Sequence, residues 1–256
     1  MGPVFRTDFR GKGGGGRVEE RVYTVLGPVD AEFVLITDFH EGDPQPVLSL
    51  LREHPPDLIL LAGDTLERHA RGSRPMPEER KHSFLDPVYR LLAKETAETG
   101  SGREFLRALC TIAPTLMSIG NHEWYLEEDD QIAVVLDNMD ILWHGLRIGG
   151  LSSWYDEKWL EAYRRKDGYR ILLCHQPEYC DRFHLSDFDL VLSGHAHGGQ
   201  IRLFGRGLYA PSQGFLPKYT RGRYGNMIVS AGCANTARIP RLFNPPEIVR
   251  IKMHKT

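Results

Sequence analysis

The chain has 256 residues, 41% hydrophobic and 26% charged, the balance of an ordinary globular protein with a substantial buried core. Its 32 Lys and Arg against 34 Asp and Glu leave a net charge of −2, which excludes nucleic-acid or membrane-surface binding driven by bulk charge, though not a local basic patch. No run approaches the ~18 apolar residues of a spanning helix, the N-terminus has no apolar signal core, and the 4 cysteines form no C-x-x-C pair; buried free thiols and a cytoplasmic location are expected.

Residues 1–17 carry the stretch GKGGGGR and are expected to form a flexible tail ahead of a single domain over 18–256. From there, short apolar runs alternate with longer amphipathic stretches. In chain order the pattern predicts strand Phe33–Thr37, helix Gln45–His54, strand Leu58–Ala62, helix Asp86–Glu98 and helix Arg103–Leu109. Strand Thr115–Ile119, helix Asp129–Asn138, strand Leu146–Ser152 and helix Asp156–Arg165 follow. Strands Arg170–Cys174, Asp189–Ser193, Met227–Ser230 and Ile248–Met253 complete the series. An insertion at about 68–102 opens polar, proline-containing and locally basic; it reads equally as a functional loop or as a solvated surface segment. Strand–helix alternation followed by a strand-rich last third implies an α/β fold with two packed sheets flanked by helices.

Polar residues fall at one recurring place in this pattern. Asp38-Phe-His40 follows the first strand, Gly63-Asp64 the second, and Gly120-Asn121-His122-Glu123 the third. His175 follows Ile171-Leu-Leu-Cys, and Gly194-His195-Ala-His197 follows Leu190-Val-Leu-Ser. Each alone is an ordinary turn or cap. Five such groups just past the carboxyl ends of strands are harder to dismiss, because that edge of an α/β sheet is where ligand crevices form.

The residue types suit metal binding. On an extended segment i and i+2 point the same way, so Asp38 with His40, and His195 with His197, can each aim two donors at one locality. Carboxylate, imidazole and amide donors without a thiolate suit Mn, Fe or Zn. The set exceeds one tetrahedral shell but suits two divalent metals with a shared carboxylate. Metals ~3.5–4 Å apart clamp a phosphoryl group and generate the nucleophile.

These blocks, in this order, resemble the calcineurin-like metallophosphoesterase superfamily, whose pattern is D-x-H, G-D, G-N-H-[ED], a lone His and G-H-x-H. All five are present between Asp38 and His197. The C-terminal stretch resembles a bacterial phosphodiesterase-like branch whose members often carry an N-terminal membrane anchor, some of them associated with UDP-diacylglucosamine or other phosphodiesters. The anchor is expected to be absent here, which weakens an inference of a lipid substrate. The resemblance implies a four-layer sandwich of two mixed β-sheets flanked by helices. It implies one metal held by Asp38, His40, Asp64 and His197, and a second by Asp64, Asn121, His175 and His195, with Mn preferred. Catalytic roles fall to His122, facing the scissile phosphate, and to Asn121. Family members often read G-D-x-x-D where this chain ends in Glu67, whose longer carboxylate is expected to orient His122.

The expected activity is a binuclear-metal-dependent phosphoesterase, first a phosphodiesterase on a small-molecule or nucleotide-type ester. The alternatives are a phosphomonoesterase or nuclease and, last, an inactive protein-binding scaffold. The expected partner is the phosphoester itself; no basic stripe points to nucleic acid. Arg68 and Arg71 are read as solvated surface arginines, and Trp154, Tyr155 and Trp159 as packing residues ahead of a stacking platform for a base or sugar.

Overall fold

In the computed structural model, residues 9–10, 18–68, 94 and 97–256 are described, the first pair by backbone alone. Of the expected tail, all but 9–10 and the expected helix Asp86–Glu98, apart from 94, 97 and 98, lie outside the described residues, as does most of the 68–102 insertion. Seven strands form one mixed sheet: β1 (Phe9–Arg10), β2 (Glu19–Gly27), β3 (Ala31–Ile36), β4 (Leu58–Ala62), β5 (Thr115–Ser118), β6 (Val134–Leu136) and β17 (Glu247–Lys255), in spatial order β1-β2-β17-β3-β4-β5-β6. Six form the other: β7 (Met139–Trp143), β8 (Leu146–Leu151), β9 (Tyr169–Cys174), β10 (Leu190–Ser193), β15 (Gly222–Tyr224) and β16 (Met227–Val229), in order β15-β16-β10-β9-β8-β7.

The layers follow from the period-two direction of strand side chains. Phe33 and Leu35 of β3 and Leu58 and Leu60 of β4 point to one side and pack with Ile148, Ile171, Leu173 and Leu192 of the other sheet. Their neighbours Val34, Ile36, Ile59 and Leu61 point to the opposite side and meet helices Gln45–Glu53 and Ser101–Ile112 through Val47, Leu51, Phe105 and Leu109. On the far face of the second sheet, Leu172, Val191 and Val229 pack with Leu160 and Tyr163 of helix Glu157–Arg164. Strands buried on both faces read as continuous apolar runs, which is why LILLA and VLIT were conspicuous in the sequence. Each such Leu or Ile contributes roughly 1.5–3 kcal/mol by burial, so the sheets are held rigidly beneath the site.

Pairing is parallel along β3-β4-β5 and along β8-β9-β10-β16, so the carboxyl ends of these strands share one edge. The expected helix Asp129–Asn138 is not formed. Glu128–Asp130 is a single 3-10 turn, and Val134–Leu136 pairs with β5 as an edge strand. The Asp130 carboxylate accepts the backbone N–H of Glu127 and two arginine contacts, which stops helix propagation, and the β-branched Val134 and Val135 suit a strand. Of the four free cysteines only Cys174 is buried; Cys110 is exposed, contrary to the expectation of buried thiols, because it lies on the outer side of its helix.

Candidate metal centre

Five polar turns follow β3, β4, β5, β9 and β10, and the parallel register brings them to one place. Six of their residues depart from ordinary backbone: Asp38, His40, Glu41, Asp64, His195 and His197 all have φ between 45° and 65°. Non-glycine residues adopt this left-handed region at a cost, and such strain concentrates where geometry serves a site. The expectation that Asp38/His40 and His195/His197 lie on extended segments is therefore incorrect. Asp38 and His40 still meet, by turning; His195 and His197 diverge into different groups.

Ligand-type atoms of Asp38, His40 and His197 lie within 4.8 Å of one another, and so do those of Asp64, His175 and His195. A third set, His40, Glu67 and His122, is equally close. Asp64 stands between them. Its Oδ2 is 3.7 Å from His40 Nε2, 2.9 Å from His175 Nε2 and 3.9 Å from His122 Nε2, while its Oδ1 accepts the backbone N–H of His122 at 2.9 Å. Asp38 accepts the backbone N–H of His195 at 3.1 Å and lies 3.6 Å from His197 Nε2.

The histidine tautomers are set from behind. Carboxylates and carbonyls only accept, so His40 Nδ1 donates to Glu67 Oε1 at 2.6 Å, His122 Nδ1 to Glu67 Oε2 at 2.8 Å, and His175 Nδ1 to the Ala62 carbonyl at 2.7 Å. In neutral His40 and His175 this leaves the Nε2 lone pairs facing inward. His40 Nε2, His197 Nδ1 and Asn121 Oδ1 are buried without a hydrogen-bond partner, and His175 Nε2 has the Asp64 carboxylate at 2.9 Å. Imidazole nitrogens aimed at Asp64 from two sides, His40 Nε2 without any hydrogen-bond partner, are costly when left among themselves and fit divalent cations.

Burial alone would raise the Asp64 pKa, but His175, His122 and His40 outweigh it and hold the carboxyl well below its usual range. Burial disfavours the charged forms of His122 and His175, yet in both cases Asp64 prevails, with help from Glu67 for His122, and the pKa rises to about 9. His197 goes the other way, to about 3, because burial dominates and His40 and Arg241 add repulsion.

A model of the calcineurin-like phosphoesterase family matches residues 31–199, about two thirds of the chain and all five polar turns. The chain belongs to the calcineurin-like phosphoesterase family. It is 26% identical over 250 residues to a metallophosphoesterase of Campylobacter jejuni, covering 88% of this chain and 59% of that protein. It is 25% identical over 249 residues to one of Aquifex aeolicus, covering 88% of this chain and 79% of that one. The chain thus spans under two thirds of the Campylobacter relative's length. Among solved structures, a phosphoesterase from E. coli aligns at 14% identity over 84% of each chain with a TM-score of 0.37.

Several residues of this family member do more than the sequence suggested. Glu123 accepts four backbone N–H groups, from Asp64 (3.0 Å), Thr65 (2.6 Å), Leu66 (3.1 Å) and Gly120 (2.6 Å). It thereby clamps the turns after β4 and β5 together. Burial and the Asp64 charge raise its pKa to about 7 against the pull of those four donors. Gly120 permits this approach, since a Cβ there would collide with Asp64 Oδ1. Glu67 reaches His122 and also His40, a second partner that the sequence did not suggest. The spacing of Glu67 and Glu123 was visible in the sequence, but their partners lie on other strands.

Arg68 corrects an expectation outright. It is fully buried, bonded through Nε and Nη2 to Asp130 at 2.8 and 2.6 Å, with Glu98 3.1 Å from Nη1. It is an internal strut under Glu67 and not a solvated surface residue; Arg71 lies outside the described residues. Trp159 stacks on Tyr163 at 5.1 Å, Tyr155 meets Tyr179 and Phe183, and Trp154 meets Trp124. These rings pack with one another.

Proposed function

We propose that the chain is a two-metal-dependent phosphoester hydrolase acting in the cytoplasm, with a small-molecule or nucleotide-type phosphodiester as substrate. The observation that carries this reading is the position of Asp64 Oδ2, within 4 Å of the imidazoles of both donor groups. In this reading Asp38, His40, Asp64 and His197 hold one cation, and Asp64, Asn121, His175 and His195 hold the other. Two such cations, manganese ahead of iron or zinc for this donor set, supply Lewis acidity to the phosphoryl oxygens and the nucleophile.

The remaining chemistry belongs to side chains. His122 is the most solvent-accessible of the central histidines, at 17% side-chain exposure, and its Nε2 faces away from Glu67. Asp64 and Glu67 favour its protonated ring, which donates to the departing ester oxygen. Glu67 fixes the ring so that the proton sits on the side of the leaving group. Such general-acid help is worth ~10²–10⁴-fold in rate. Asn121 offers an amide to hold a phosphoryl oxygen as well as its buried Oδ1 to a cation.

The deciding assay compares bis-p-nitrophenyl phosphate with p-nitrophenyl phosphate in Mn²⁺, then in EDTA, then with His122→Asn. Turnover of the diester that EDTA abolishes and His122→Asn reduces supports the proposal. Turnover of the monoester alone would transfer it to the phosphomonoesterase reading. Absence of metal-dependent turnover on both would leave the scaffold reading in its place.

A further inference from the structure

Among the described residues ten large hydrophobic side chains are exposed, and six of them fall between Leu203 and Phe243. Leu203 and Phe204 belong to one small hairpin, β11 (Arg202–Leu203) with β12 (Arg206–Gly207), whose tip is Phe204-Gly205; Phe215 and Leu216 end a second, β13 (Tyr209–Ala210) with β14 (Gly214–Phe215); Leu242 and Phe243 lie in the segment before β17. Leu216 N–H donates to the Leu208 carbonyl at 2.9 Å, which ties the second hairpin to the end of the first. A cavity of about 380 Å³ joins the two hairpins and is lined by Arg206, Leu216 and Lys218 among others. Leu242 and Phe243 are tied to the start of the first hairpin by the Ile201–Leu242 bridge and by Arg202 N–H donating to the Leu242 carbonyl at 3.0 Å.

Three of these side chains stand on unfavourable backbone. Phe204, Leu216 and Phe243 have φ of 51°, 52° and 54°. Glycine or asparagine suits such turn positions, and a bulky apolar residue there is a genuine outlier. Folding therefore gains nothing from the exposed ring or isobutyl group, either in burial or in backbone preference. Strain of this kind at exposed apolar side chains is the pattern of a surface that meets something outside the chain.

Charge says what kind. From Leu190 to Pro246 there is no Asp or Glu, while the same stretch holds Arg202, Arg206, Lys218, Arg221, Arg223, Arg238 and Arg241. Several are engaged: Arg221 with Glu247, Lys218 with Asp181 at 2.8 Å. Arg206 and Arg238 are exposed, and neither is ion-paired with a carboxylate of the described residues. The overall charge of −2 conceals this local excess.

We propose that this face docks on an anionic phospholipid surface, with Phe204, Leu216 and Phe243 inserting at the headgroup–acyl boundary and Arg206 and Arg238 meeting lipid phosphates. Separate apolar loop tips ringed by cations match that interface, where shallow apolar insertion and electrostatic attraction add. A second copy of the chain is disfavoured because it would bring two acid-free basic stretches together. A single-stranded nucleic acid would use the arginines and the phenylalanine rings but gains nothing from Leu203, Leu216 and Leu242, whereas a lipid interface takes all of them. The hairpin and the segment carrying Phe243 are both bonded to the metal-centre turn, Arg202 Nη1 donating to the Gly198 carbonyl at 2.8 Å and Asn244 Nδ2 to the His197 carbonyl at 2.7 Å. Docking thus places the centre beside the lipid surface.

The test is vesicle co-sedimentation of the full chain, using phosphatidylcholine alone and equal parts phosphatidylcholine and phosphatidylglycerol. Wild type is expected to pellet with the mixed vesicles at low salt and to be released by high salt. The triple variant Phe204→Asn, Leu216→Asn, Phe243→Asn is expected to lose about tenfold or more in partition. Asparagine accepts positive φ, so its melting temperature should equal or exceed wild type; Phe204→Asn alone gives a smaller loss in the same direction. Wild type left in the supernatant with mixed vesicles, or a triple variant that binds as well as wild type, overturns the proposal. So does a wild-type dimer dissolved by the triple variant without vesicle binding, or tight oligonucleotide binding lost in Arg206→Glu but kept in the triple variant. No step of the assay involves hydrolysis, so its outcome is independent of the phosphoesterase assay.

Discussion

Glu67 and His40 are joined by a 2.6 Å hydrogen bond between buried atoms, and the other oxygen of the same carboxylate takes His122 at 2.8 Å. One side chain thus fixes the tautomer of a proposed metal ligand and of the proposed general acid. Glu67→Gln keeps the volume but offers an N–H where one histidine needs an acceptor. We expect a 10–100-fold fall in kcat with KM changed little, and a measurable loss of metal by elemental analysis. Unchanged metal content with the same fall in kcat would confine its role to His122.

The two proposed roles of histidine separate in one comparison. His195→Ala should reduce metal occupancy, since its ring stands with Asp64 and His175. His122→Asn should leave occupancy near wild type and lower kcat by ~10²–10⁴-fold. Elemental analysis of both variants beside steady-state kinetics checks this, and full occupancy in His195→Ala contradicts the assignment.

Glu123 predicts a stability effect larger than its position in a turn suggests. Its two oxygens satisfy four backbone N–H groups. Glu123→Ala leaves all of them buried without an acceptor, at about 1–3 kcal/mol for each that water cannot reach. Urea unfolding should show a loss of at least about 3 kcal/mol, and the turns carrying Asp64 and Asn121 should lose their mutual register.

The Asp130 cluster predicts an acid-sensitive window. Burial raises its pKa, but Arg68 and Arg103 prevail and bring it down to about 2. The folded pKa lies below the unfolded value of about 3.9, so its contribution is full above pH ~4 and is lost as pH falls toward 2. Allowing for solvent screening at Arg103 and Glu127, the expected loss is about 1–2 kcal/mol. Asp130→Asn should flatten stability against pH across that window. It should also cost about 3–5 kcal/mol at pH 7 by leaving Arg68 buried without its main partner.

By itself the sequence determined the layers and the cast of the site. Continuous apolar runs such as Leu58–Ala62 declared strands covered on both faces, and the polar residues immediately beyond them declared one functional edge, because a parallel sheet aligns the ends of its strands. It also carried the family, through five short blocks in fixed order. Partners distant in sequence were beyond it. Strand β2 is not legible in the sequence, because Glu20 and Arg21 break its apolar pattern; their mates, Arg250 and Glu247, come from the far end of the chain. The charged Arg68 looked like surface until Asp130, 62 residues away, was brought against it. The left-handed turns at Asp38 and His197 likewise arise where neighbouring strands hold the backbone in a conformation local preference disfavours. Periodicity and residue type are local properties and can be read in one dimension. Burial of charge, shared carboxylates and backbone strain depend on what another segment places alongside, and only the tertiary structure decides them.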